Sequence, residues 1–181
     1  MKPAIIANFV FFNAVWFACV LGAAAGNAWI GLLALAAFAA WQIGISPHRF
    51  ADIRLLLIAG IIGFIVDTGY AWSGLVQYAD PAPSSGTAPW WIVALWMNFA
   101  LALNHSLKWL QPYPLLASVF GLIGGPLAYY GGIKLDAVFP QVPLLQVMIV
   151  FGLAWAVVTP LLTAIALWTR TGVFIQKPQP D

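Results

Sequence analysis

The stretch "LWMNFALALNHSLKW", residues 95 to 109, sets Asn98, Asn104 and His105 inside a run apolar enough to cross a bilayer. Such side chains are expensive in hydrocarbon, so they must bond one another, line a polar cavity or lie near an interface. Asp67, in an earlier apolar run, carries the most information. A carboxylate there has to be paired, hydrogen-bonded or protonated, and can serve as an acid, a base or a hydrogen-bond anchor. His105 is a candidate proton relay, because imidazole titrates near neutrality.

Depth along helices, at about 1.5 Å per residue, sorts these groups into two layers. Asp67 and Asn98 lie about seven and eight residues from the outer ends of their runs, at a depth where they can meet. Asp67 is the candidate catalytic residue and Asn98 its orienter. Tyr70, Gly125, Tyr129, Tyr130 and Asn13 are candidate substrate-binding residues near the same level. The second layer, near the inner face, holds Asn8, Gln42, Asn104 and His105, with Ser106 and Thr163 in reach. On a continuous helix Asn98 and His105 share a face, whereas Asn104 points about 100° away from His105. A direct Asp67–His105 dyad is disfavoured by a depth difference of roughly 15 Å. The competing reading makes Asp67 structural glue, bonded to Asn98 or Tyr70 for ~1 kcal/mol. Both readings stay open.

The elements that must hold these residues follow from hydropathy. Of the 181 residues 63% are hydrophobic and 7% charged, and the mean hydropathy is +0.94. This is the composition of an integral membrane protein. About 20 apolar residues cross ~30 Å of hydrocarbon, and six runs qualify: 4–24, 28–45, 54–75, 90–107, 114–132 and 144–168. The expectation is an all-α bundle of six transmembrane helices, one domain over residues 1–170 with a cytoplasmic tail at 171–181. With both termini cytoplasmic, Lys2, Arg49, Arg54, Lys108, Arg170 and Lys177 lie inside and only Lys134 outside, the asymmetry that sets topology. The rival is that "LGAAAGNA" ends a cleaved secretory signal; Asn8 and Asn13 interrupt the apolar region such a signal needs.

Gly60, Gly63, Asp67, Tyr70 and Gly74 lie near one face of the third run, and Gly121 and Gly125 form a GxxxG pair in the fifth. Stripes of this kind are usually packing seams in lipid. Pro126 and Pro160 interrupt their helices, and a kink near each is expected, with Thr159 a candidate to bond a freed carbonyl.

The charges show no cluster dense enough for nucleic acid or a polybasic lipid site. Nucleic acid is therefore excluded as a partner. Two histidines, one cysteine and no glutamate leave a conventional metal site without ligands, and no cofactor is implied. There is no GxSxG elbow, HExxH, Walker loop or GxGxxG, and Ser106 cannot face the adjacent His105 on a helix.

Three motifs occur in order: Asp67 alone in the third run, "LWMNFALALNHSLKWL" with Asn98 and His105, and "GLIGGPLAYYGGIKLDA" from Gly121 to Ala137. On these the chain resembles a family of bacterial inner-membrane proteins catalogued as a domain of unknown function, number 2878. The resemblance implies a multi-pass protein of the bacterial inner membrane with no established activity or catalytic residue. Family members encoded near enzymes similar to cyclopropane fatty acid synthases add a lean towards lipid handling. Lysoplasmalogenase-type intramembrane hydrolases are a looser comparison, weakened because Asp67 is the only acid expected in the core.

The leading expectation is thus a protein that binds or processes a lipid-like molecule in a polar pocket around Asp67. Whether it is an enzyme stays open. The alternatives are a small transporter or proton-coupled permease, and a non-catalytic assembly or scaffold subunit. Membrane lipids and a homo-oligomeric copy are the expected partners.

Overall fold

The computed structural model describes residues 3–84 and 86–174. Lys2, Lys177 and most of the expected tail lie outside the described residues. Six helices form: α1 (Pro3–Ala24), α2 (Trp29–Ile45), α3 (Arg49–Trp72), α4 (Trp90–Leu103), α5 (Pro114–Lys134) and α6 (Leu144–Thr171). α1, α5 and α6 are long and apolar enough to cross a membrane. Side chains such as Leu115, Leu145, Ile61 and Val157, each at least 62% exposed, cover the flanks of the bundle. Apolar surface on that scale marks a membrane protein, with lipid rather than water as its solvent.

α4 is the centre of the bundle. Ten of its 14 residues are buried, and it packs on α1, α2, α3 and α6. At 14 residues it is shorter than the 90–107 run, because the chain leaves the helix after Leu103 and turns into a short 3-10 segment, Lys108–Leu110. A helix end buried inside the bundle needs protein groups to satisfy its free carbonyls. Here Asn8 Nδ2 donates to the Leu101 carbonyl at 3.0 Å and Gln111 Nε2 to the Leu103 carbonyl at 2.9 Å.

The glycine stripes are packing seams. A Cβ on Gly63 would overlap the Trp96 ring across α3 and α4, and one on Gly121 or Gly125 would overlap Trp155 across α5 and α6. The helices run unbroken through Pro126 and Pro160. Thr159 does not bond the freed carbonyl, its hydroxyl having no partner among the described residues, and the Thr163 hydroxyl bonds the Pro160 carbonyl at 2.9 Å, one turn back on the same helix.

Hydropathy gives no sign of a strand pair that the connectors form. β1 (Val76–Tyr78) and β2 (Val138–Pro140) pair antiparallel, Gln77 opposite Phe139. Both follow the same helix exit. Leu75 N–H bonds the Tyr70 carbonyl after Gly74 at φ 69°, and Ala137 N–H bonds the Gly132 carbonyl after Asp136 at φ 58°. This six-to-one closure with a left-handed residue ends the helix sharply and starts an extended segment. The ribbon lies at one end of the bundle; Arg49, Arg54, Lys108 and Arg170 lie at the other.

Candidate functional site

Asp67 is fully buried on α3. Its Oδ1 accepts the hydroxyls of Tyr78, from β1, and Tyr129, from α5, each at 2.6 Å. Its Oδ2 accepts the Trp96 indole N–H, from α4, at 2.7 Å. One carboxylate therefore ties four elements together. Burial, reinforced by Asp67, pushes the Tyr78 phenol well above its ordinary value, so Tyr78 is a donor throughout the physiological range.

Asn98 is not among the partners of Asp67. It stands two residues after Trp96 on α4, which aims the two side chains apart, and its amide donates instead to the Phe12 carbonyl of α1 at 2.9 Å. Tyr70 lies beside the cluster, edge-on to Tyr129, but its hydroxyl has no partner among the described residues. Tyr130 faces outward, 38% exposed, with Lys134 over its ring; one step along the helix from Tyr129 turns it away from the cluster.

Beside Asp67, behind Trp96 and Tyr129, lies a cavity of about 600 Å³ walled by α1, α4, α5 and α6. Phe12, Trp16, Phe99 and Trp155 form much of its lining, and Asn13, Gly125 and Tyr129 reach it; Asp67, Tyr70 and Tyr130 do not. Along α1 it extends from Phe9 to Val20, roughly 16 Å at helical rise. α1 and α5 make little contact with each other, and Phe9 and Phe17 line the cavity while 55% and 51% exposed. The mouth therefore opens on the apolar flank between α1 and α5. At one end Trp16 rests on Gly131; at the other Trp109 and Phe120 meet edge to face.

No charged side chain lines this cavity. Five buried side-chain polar atoms lack a partner among the described residues, and three of them, Asn98 Oδ1, Trp155 Nε1 and Thr159 Oγ1, belong to residues that line it. Unsatisfied buried groups are rare and call for a physical reason. An acceptor, a donor and a hydroxyl on one apolar wall match a ligand that carries a neutral hydrogen-bonding group.

The second polar layer is one connected network. Asn8 Nδ2 donates to Gln42 Oε1 at 2.7 Å, and Ser106 Oγ donates to Asn8 Oδ1 at 2.5 Å. His105 contacts Gln42 Nε2 through Nδ1 at 3.4 Å and Asp52 Oδ2 through Nε2 at 3.1 Å. With the Gln42 amide oriented by Asn8, His105 accepts at Nδ1 and donates from Nε2. Asn104 Nδ2 reaches the other Asp52 oxygen at 2.9 Å. Asn104 and His105 thus converge on one acid although a helical projection separates them, because the helix has already ended at Leu103.

Asp52 escapes the sequence reading. It falls in the connector before the third run, yet α3 begins at Arg49 and holds Asp52 2% exposed. Asp67 is therefore not the only buried acid, though Asp52 stands at the far end of the bundle. Tyr78 and Trp96 are missed for different reasons. Tyr78 arrives on a strand the hydropathy does not register, although Val76 and Tyr78 are good strand formers in alternation; Trp96 reads as an ordinary apolar residue.

With this geometry established, residues 5–161 match a family described as a protein of unknown function, DUF2878. That match spans most of the chain. The chain belongs to the DUF2878 family. No curated protein and no solved structure matches it. The three stretches on which the DUF2878 resemblance rests correspond to the centre of the fold: the Asp67 helix, the buried α4 with its interrupted end, and the α5 seam that leads into β2.

Proposed function

We propose that this DUF2878 protein is a multi-pass protein of the bacterial inner membrane that binds or processes a neutral, lipid-like molecule in the cavity between α1 and α5. The observation that carries the reading is the set of three unpartnered polar atoms, Asn98 Oδ1, Trp155 Nε1 and Thr159 Oγ1, on residues of a mostly apolar wall. A chain of apolar carbons fills the length of the cavity, and a hydroxyl, ester or amide group meets the three atoms. The absence of a charged lining residue favours an uncharged polar group over a phosphate at this depth. In this reading Asp67 is a positioning residue, which fixes Trp96 and Tyr129 from behind, and Asn98 contacts the ligand directly.

Gly124 supplies the test. It lines the cavity, and a Cβ there meets only Phe120, at 3.8 Å. Gly124→Leu should fold normally and fill the space. Wild-type protein purified in mild detergent is expected to retain a neutral lipid visible by mass spectrometry, and Gly124→Leu to lose at least tenfold of it. Trp155→Phe removes an indole N–H that has no protein partner, so lipid retention should fall about tenfold, the equivalent of ~1.4 kcal/mol, with little change in melting temperature. Equal retention in wild type and Gly124→Leu would refute the proposal.

The proposed topology has six spans, one domain over 1–170, both termini and the tail 171–181 in the cytoplasm, and the β1–β2 ribbon outside. It is supported by the gathering of Arg49, Arg54, Lys108 and Arg170 at the end opposite the ribbon. Ser84 and His48 are exposed at opposite ends, and Cys19 is buried. A membrane-impermeant maleimide should label Ser84→Cys in intact spheroplasts and His48→Cys only after permeabilisation. The reverse pattern would invert the topology.

A further inference from the structure

A second pocket, about 540 Å³, opens at the end of the bundle away from the ribbon. The α2–α3 turn, the first turn of α3 and the last turn of α6 enclose it, and Arg49, Arg54 and Arg170 all line it. More than a hundred residues separate Arg54 from Arg170, so the sequence shows no cluster; packing of α3 on α6 creates one.

No carboxylate forms a direct salt bridge to these guanidinium groups among the described residues, although Asp52 is near enough to act on Arg170 by charge. Asp52, the acid nearest the pocket, has both carboxylate oxygens engaged by Asn104 and His105, and the described residues contain no ion pair to Arg49, Arg54 or Arg170. Arg49 lies over the Phe50 ring at 5.1 Å. Arg170 donates from Nη2 to Gln111 at 2.8 Å, while its Nε is buried without a partner. The α3 N-terminus beside them has no side-chain cap, which leaves backbone N–H groups and the positive end of the helix dipole facing the same space. A membrane protein needs positive charge at this face for topology, but topology alone does not require three arginines around one pocket with a buried Nε left open.

We infer that this pocket binds a phosphate group, separately from the apolar cavity. Arginine forks bind phosphate oxygens through paired N–H bonds, and an uncapped helix N-terminus adds to the attraction. Such a group can come from the headgroup of an anionic phospholipid in the adjoining leaflet or from free phosphate in solution.

The test uses the full-length protein in phosphatidylcholine nanodiscs, in discs doped with phosphatidylglycerol, and in phosphatidylcholine discs with millimolar inorganic phosphate, read by native mass spectrometry and thermal melting. Arg49→Gln/Arg54→Gln alters two exposed side chains without hydrogen bonds among the described residues, so the fold should survive. Wild type should retain at least tenfold more phosphatidylglycerol than this variant, with Arg54→Lys in between because lysine keeps the charge and loses the fork. Lys134→Gln, outside the pocket, should match wild type. Retention and stabilisation by phosphatidylglycerol alone identify the headgroup as ligand, and stabilisation by inorganic phosphate identifies free phosphate. Equal retention by wild type and the double variant, an equal loss in Lys134→Gln, or no response to either probe overturns the inference. Gly124→Leu should leave this binding unchanged, which separates its failure from that of the apolar cavity.

Discussion

Asp67→Leu is expected to destabilise the folded protein by about 3 kcal/mol or more, the largest effect of any single substitution here. Leucine removes the acceptor for three buried donors at once, the hydroxyls of Tyr78 and Tyr129 and the Trp96 indole. Each unsatisfied buried donor costs ~1–3 kcal/mol, and recovery of the carboxylate's own desolvation penalty offsets part of the sum. Asp67→Asn should cost less: its one oxygen can keep both tyrosines, but its amide then faces the Trp96 N–H, donor against donor. Tyr78→Phe and Tyr129→Phe should each cost ~1 kcal/mol, non-additively with Asp67→Leu, because they lose the same bonds. Thermal melting in detergent reads the whole series. If Asp67→Leu melts like wild type, the carboxylate does not hold the four elements together, and the anchoring role assigned to it is wrong.

Gly125→Leu is expected to be nearly as severe and to act by another route. A Cβ at Gly125 overlaps Trp155, whose backbone also abuts Gly121. The larger side chain must push α6 away or expel the indole into the cavity, and overpacking of this kind typically costs 1–3 kcal/mol. The loss of the close α5–α6 seam adds to that, since small-residue contacts hold helices together where lipid offers no hydrophobic drive. Gly124→Leu, one residue earlier on the same helix, should instead melt close to wild type. The pair therefore distinguishes a packing defect from a filled cavity: both variants lose bound lipid, and only Gly125→Leu loses stability. Similar melting temperatures for the two would remove the distinction on which the cavity assignment depends.

Much of the site is recoverable from residue types. Asp67 stands out because an acid in an apolar run has to find donors. Counting along helices puts Asn8, Gln42, Asn104 and His105 at one depth, and with Asp52 they form one network. Counting cannot say which donor wins. Asn98 shares the level expected for Asp67, yet the acid takes Tyr78, Tyr129 and Trp96, and Asn98 turns to Phe12. A helical projection also fails once the helix stops. Asn104 and His105 meet at Asp52 because α4 ends at Leu103, and α4 can end there because side chains from α1 and the segment before α5 bond its last carbonyls.

Composition and hydropathy, being sums over local stretches, determine by themselves that the chain is helical and that apolar runs lie in six places, and the spacing of Gly63, Gly121 and Gly125 marks candidate contact faces. Each of those properties depends on residues within a few turns of one another. The tertiary structure alone decides the rest: the ribbon that delivers Tyr78, the cavity among whose lining residues three buried polar atoms lack a partner, and the meeting of Arg54 with Arg170. These depend on which surfaces pack together, and that is settled by shape and by hydrogen-bond partners distant in sequence. A polar residue can announce that it needs a partner, but which one it finds is a property of the assembled bundle.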